Sequence, residues 1–224
     1  MQITKFPSEV QLPRILDALE EARIRRYLPA AKGSAGDAFK LYQWNCLLCE
    51  AFHVPLHFVE IACRNAIHNR LLERHGEDWF DNLAFLNLLD DKHHNDLQSE
   101  LERERKQHGA SMTPHHIVSS LSFGFWQHLL TRRFQRFLDY GDMRDTFPNV
   151  PRSVDRDGVY SKVQKVRQWR NRIAHHRAIF DKGPMRHFQD IQLLTRWVSH
   201  DLADWVTDVA QVSAAIDLRP VPAA

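Results

Sequence analysis

Three cysteines, eight glycines and ten prolines among 224 residues leave little material for two classes of fold. A disulfide framework needs paired cysteines. The odd set Cys46, Cys49 and Cys63, all in helical sequence, instead points to a reducing, cytoplasmic setting. So few glycines argue against a loop-rich β protein, and no stretch of any strength alternates polar and apolar residues as a half-buried strand does. A charge excess is missing too: 30 Lys and Arg against 28 Asp and Glu give a net charge of +2. An anionic partner must therefore be held by a local patch rather than by a global field. No apolar run is expected to reach the length of a membrane span. Met1 to Pro7 lacks the apolar core of a secretory signal. Glycine-rich phosphate loops, a GxSxG elbow and an HExxH helix are all absent.

What is present is helical. Hydrophobic residues make up 43% of the chain, enough for a sizeable core, and the apolar positions recur at helical spacing. Helices are expected over about Leu12–Leu28, from Asp37 to a boundary at Pro55, over Leu56–His75 closing at Gly76, and over Asp90–His108. A further helix opens at Thr113-Pro114, and another continues past Trp126 to Leu138. Gly141 to Gly158 is expected as the longest loop. After it come a helix from Val159 into residues 169–176 and a last one over Met185–Val209. The expected organisation is one helical domain over 1–211 and a loose tail over 212–224.

Fourteen histidines are unusual, and histidine titrates nearest neutral pH. Their spacing argues against a metal site. His53 and His57 are separated by Pro55 and lack a third ligand, while the rings of His93-His94 and His115-His116 point apart. Cys46 and Cys49 form a lone CxxC that fits helix packing. On Leu56–His75, Glu60, Arg64 and His68 share a face. They form either a polar cluster turned to a partner or an intrahelical Glu60–Arg64 pair, and the spacing favours the pair.

The most unusual stretch is Trp169-Arg170-Asn171-Arg172-Ile173-Ala174-His175-His176. Arg170 falls within the apolar stripe Val159, Val163, Val166, Ile173 and Ala174, where an arginine is costly to bury. Arginine offers a permanent bidentate cation for phosphate, and histidine a proton donor or acceptor. Without acidic pairs to hold a metal, such a couple suits metal-free transfer at an RNA phosphodiester, where the 2′-OH is the built-in nucleophile. Five residues on a straight helix separate side chains by about 140°, so convergence requires a helix break or two facing copies. The competing account is a buried Arg170 satisfied by a carboxylate and backbone carbonyls, with His175 and His176 closing the helix.

Arg170-Asn171-Arg172-Ile173-Ala174-His175-His176 resembles the RNxxxH motif of HEPN-type ribonucleases. Leu41-Tyr42-Gln43-Trp44-Asn45, Val59-Glu60 with Arg64-Asn65-Ala66-Ile67, Asp78-Trp79-Phe80 and Ser122-Phe123-Gly124-Phe125-Trp126 precede it. In this order the segments resemble the Abi-like family of bacterial abortive-infection proteins, the AbiD- and AbiF-type group. The resemblance implies an all-α, HEPN-like helical bundle with additional N-terminal helices and a homodimer with its active site at the two-fold. It also implies metal-independent RNA cleavage in antiphage defence, with no cofactor and with an RNA or protein antitoxin as a possible partner. Arg170 and His175 would be the catalytic pair, and Asn171, Arg172 and His176 would bind RNA or shape the site. Arg177-Ala178 departs from the family's acidic residue and proline, which puts any role for that acid in doubt.

Overall fold

The computed structural model describes residues 5–221, and among these every regular element is helical, with no strand. Residues 1–4, part of the Met1 to Pro7 stretch read against a secretory signal, and 222–224 of the expected tail lie outside them.

The hub is one helix. Helices α1 (Gln11–Ala18) and α2 (Glu21–Arg25) come first, followed by α3 (Ala35–His75), which runs 41 residues without interruption. Two boundaries differ from expectation. The first helix breaks because Glu20 adopts a positive φ of 60°. Pro55, expected to end a helix, lies buried inside α3. A proline within a helix removes one backbone N–H and crowds the preceding turn, at a cost of about 3 kcal/mol. Burial of Leu48, Phe52, Leu56, Val59 and Cys63 on either side of it outweighs that cost. The helix starts at Ser34, whose Oγ accepts from the Asp37 N–H at 3.2 Å, and stops at Gly76, with φ +80°.

Uninterrupted, α3 contains a window with a hydropathy of 1.4, so by length and composition it could cross a membrane, contrary to the expectation of no such run. In this fold it is the central packing element. It touches α2, α6 (Pro114–Ser120), α7 (Phe123–His128), α8 (Tyr140–Thr146), α9 (Arg156–Ala174), α10 (Pro184–Val198), α11 (His200–Val209) and α12 (Val212–Asp217).

Between α3 and α6 lie a 3-10 turn at Trp79–Asp81, α4 (Leu83–Leu86) and α5 (Asp91–His108). Around the C-terminal half of α3 these elements enclose an aromatic cluster. Trp79 lies 5.1 Å from Phe85 and 5.9 Å from Trp126, and Phe85 lies 5.2 Å from Phe137, measured between ring centres. His68 belongs to this core: it is 2% exposed, and its Nδ1 accepts from Trp79 Nε1 at 3.2 Å.

Four further expectations are corrected. The helix past Trp126 stops at His128, and 129–138 folds as turns around a 3-10 segment, Arg132–Phe134. The expected loop over 141–158 contains most of α8, because Asp139 and Asp142 form a capping box: Asp139 Oδ1 accepts from Asp142 N and Asp142 Oδ2 from Asp139 N. The last long helix divides at Ser199, whose extended backbone and Oγ cap the start of α11. The tail expected to be loose from 212 instead forms α12. Val212 and Ala215 are buried, and Trp44 Nε1 donates to the Ala215 carbonyl at 2.7 Å, so an indole N–H and an apolar face fix it to α3.

Candidate active site at the end of helix α9

Helix α9 starts at Asp155, whose Oδ1 accepts from the Gly158 N–H at 2.9 Å, and buries Val159, Val163, Val166 and Trp169. Trp169 packs edge-on to Phe52 at 5.3 Å and stacks on His187 at 3.8 Å. The buried stripe therefore passes through Trp169. Arg170, expected within the stripe, sits at its border with 43% of its side chain exposed. Ile173 is half-buried and Ala174 is exposed.

Arg170 Nε donates to Glu60 Oε2 on α3 at 3.0 Å, and its Nη1 reaches Asn171 Oδ1 at 3.4 Å. Glu60 thus serves α9, and the intrahelical pair favoured by spacing gives way. Arg64 Nε turns to Asn65 Oδ1 at 3.3 Å. His68 is drawn away into the aromatic core, so Glu60, Arg64 and His68 do not act as one cluster. Burial pushes the pKa of His68 down, as it does that of His187. The Cys63 thiol is pushed up, first by burial and then by Glu60.

The helix ends in a Schellman motif. His175 N–H still bonds the Asn171 carbonyl at 3.0 Å, His176 N–H bonds Ile173 O at 2.9 Å, and Arg177 N–H bonds Arg172 O at 2.9 Å. His176 takes the left-handed position, φ +53°, where glycine is usual. Histidine is among the side chains that tolerate it. Its carbonyl accepts from Arg23 Nη1 at 2.9 Å. Arg172 Nε donates to the Ala178 carbonyl at 2.8 Å, so this arginine pins the loop that leaves the helix. His175, His176 and Arg177 are all exposed.

The sequence did not reveal what holds this loop. Asn45, 4% exposed on α3, accepts from the N–H groups of both Ile179 and Phe180, at 2.7 and 3.1 Å. Tyr27 stacks on Phe180 at 4.8 Å, and Arg26 pairs with Asp181 at 3.1 Å. One signal for this was available: an amide amid Leu41, Trp44, Leu47 and Leu48 asks for a buried partner. The N-terminal helices and α3 thus clamp the exit from residues 170–176.

The helical bond to His175 has a geometric consequence. The backbone stays helical past Arg170, and the break comes only at His176, so within one chain Arg170 and His175 still diverge by about 140°. A cavity of about 500 Å³, lined by Leu47, Val54, Val209 and Leu218 among others, includes neither residue.

A second polar cluster involves a histidine whose adjacent pairing had argued against metal binding. Adjacency does separate His93 from His94, but His93 lies 2.6 Å, Nδ1 to Oδ1, from Asp90, and its ring stacks on that of His128 at 3.9 Å. Burial lowers the pKa of His128 to about 4. Asp90 is lowered to about 2, first by accepting the His93 N–H. Comparison with protein-family models, with curated proteins and with solved structures returned no match.

Proposed function

We propose that this chain is a metal-independent endoribonuclease that cleaves RNA through its 2′-OH, acting as a toxin of a bacterial abortive-infection system of the HEPN type. One observation carries the reading. Arg170 is anchored through Nε by Glu60 yet keeps 43% of its side chain in solvent, on the same helix end as the exposed His175. An arginine serving only the core would be covered. This one is oriented and still accessible to a phosphate.

In the proposed reaction a base takes the 2′-OH proton, the 2′-oxygen attacks phosphorus and Arg170 offsets the charge on the pentacoordinate phosphorane. An acid then protonates the departing 5′-oxygen, leaving a 2′,3′-cyclic phosphate and a 5′-hydroxyl. His175 fills one of the two proton-transfer roles. Because the two side chains diverge within a chain, a two-fold homodimer would place two copies of the helix end around one RNA. Asn171 steadies Arg170. Arg172 and His176 shape the exit loop, and Arg177 adds a cation where the family carries an acid.

The test is cleavage of labelled RNA by the purified chain in EDTA. Cyclic-phosphate ends are expected, with Arg170→Ala and His175→Ala both inactive. Equal cleavage by both variants would sink the assignment. The divergence of the pair favours a second reading, a non-catalytic RNA-binding or regulatory module of a defence complex. That module would bind RNA with a strong salt dependence and without turnover.

A further inference from the structure

The pocket between the start of α5 and helices α7 and α9 collects residues from distant parts of the chain. Asp90 caps α5 by accepting the His93 N–H on Oδ1 at 2.9 Å, which folds the His93 ring back over the carboxylate. Oδ1 also takes His93 Nδ1 at 2.6 Å. The other oxygen, Oδ2, faces Nε2 of His128, the last residue of α7, at 3.8 Å. That separation is an ion-pair distance but too long for a hydrogen bond. His128 Nε2 is buried and has no hydrogen-bond partner among the described residues. Beside it lies a cavity of about 260 Å³, bordered by Lys92, Gln127, Tyr160 and Arg167. Gln127 Oε1 and Arg167 Nε are buried and unpartnered as well, so three of the residues bordering this pocket carry an unsatisfied polar atom. Buried polar atoms are ordinarily paired, and such a concentration asks for a ligand.

We propose that Asp90, His93 and His128 form a site for one zinc-class divalent cation, with Asp90 Oδ2, His93 Nδ1 and His128 Nε2 as its protein ligands. A donor atom from each of the three residues already lies within 4.8 Å of the others. Bonds of about 2.0–2.2 Å in a tetrahedral site put neighbouring donors about 3.4 Å apart, so the Oδ2–Nε2 separation needs to close only slightly. Two imidazoles and one carboxylate select zinc and its transition-metal neighbours over magnesium or calcium, which prefer all-oxygen shells.

The fourth position opens onto the cavity. Arg167 is kept close by Gly124, since a Cβ on that residue would lie 3.1 Å from Arg167 Nη1. The rings of His93 and His128 are parallel to within 5°, and one cation cannot lie in two parallel ring planes. Binding therefore tilts one ring. His128 is the freer, since its Nε2 has no hydrogen bond to give up, whereas His93 exchanges its bond to Asp90 for the metal.

The experiment uses the full chain stripped with EDTA and dialysed free of it. Zn²⁺ is titrated by calorimetry and Co²⁺ by visible absorption, neither of which reads RNA cleavage. One ion per chain is expected, with Co²⁺ ligand-field bands and a Tm that rises with free Zn²⁺. Asp90→Asn keeps the capping oxygen and His128→Asn keeps a polar group. Both should fold by circular dichroism and lose more than about 100-fold in Zn²⁺ affinity, beyond the cost of an outer-shell partner. His94→Ala, beside the site, should bind as the parent does. The site is refuted if stoichiometric binding is missing, if affinity is unchanged in Asp90→Asn and His128→Asn, or if His94→Ala loses as much as they do.

Discussion

Arg170, Asn171 and His175 are near neighbours in the chain whose side chains leave α9 in different directions. His93, His128 and Arg167 come from three helices and border one pocket, with Asp90 beside the two histidines at the cap of α5. The first group is conspicuous in sequence because it is contiguous, and contiguity on a helix scatters side chains around the axis. The second is invisible in sequence because the fold alone assembles it. The first is tied down by one ion pair and a helix cap, while the second is half-buried, with polar atoms left over beside it. Proximity in sequence and proximity in space are thus different evidence, and each cluster has only one of them within a single chain.

The largest effect expected is a separation of the two clusters by activity. Arg170→Ala and His175→Ala should reduce RNA cleavage by about 10²- to 10⁴-fold, the range for loss of an acid, base or charge stabiliser. Their Tm should barely move, because a half-exposed ion pair contributes only about 0–1 kcal/mol. Asp90→Asn should cleave at the parental rate. Loss of cleavage in Asp90→Asn would merge the two clusters into one functional unit.

Next in size is Glu60→Gln. The carboxylate orients Arg170 from α3, so removing its charge should lower the cleavage rate by about tenfold through a less well held guanidinium. RNA binding in the same variant should not weaken, because a negative charge beside the phosphate site is gone. Weaker binding with an unchanged rate would show that Glu60 serves the fold and not the arginine's orientation.

A smaller effect concerns acid. His68 and His187 are held below the ordinary histidine pKa by burial, so the unfolded chain takes up protons that the folded chain refuses. The stability arising from these groups is complete above the unfolded value of about 6.5 and declines as pH falls below it. Urea midpoints should therefore be lower at pH 5 than at pH 7, and His68→Gln should narrow the gap. A higher midpoint at pH 5 would contradict the burial of these rings as neutral groups.

The smallest is His176→Gly. Replacing a side chain at φ +53° with glycine should relieve about 1 kcal/mol of left-handed strain and raise Tm by a few degrees. Cleavage should be unchanged if His175 alone transfers protons. A loss of cleavage in this more stable variant would assign His176 a direct part.

Helical periodicity made most of the helices legible, and Thr113-Pro114, Asp90 and Gly76 marked real ends. The breaks were harder to see. Pro55 is a strong local stop signal, overridden by burial along both halves of α3. Asp139 with Asp142, and Ser199 ahead of Asp201, were usable start signals hidden within stretches that looked uniformly loop-like or uniformly helical. Arg170 stood out correctly as a residue needing a partner, but the partner is 110 residues away, and no local spacing rule reaches that far. The aromatics of the stretch Ser122 to Trp126 read as core, and Phe123, Phe125 and Trp126 are buried. Its glycine, however, also makes room for Arg167, which only the packed helices reveal.

The bond from Trp44 to Ala215 spans 171 positions of chain, and with it comes a timetable. At ribosomal rates of about 5–20 residues per second, Trp44 waits roughly 10–30 s for its acceptor to be made. For most of that interval α3 has no α9, α10 or α12 to cover it, and Glu60 has no Arg170 to orient until 110 further residues are made. A nascent chain with the proposed activity would therefore emerge inert beside the messenger and ribosomal RNA that produce it. Cleavage would become possible only after residues 170–176 had been delivered and had packed against α3.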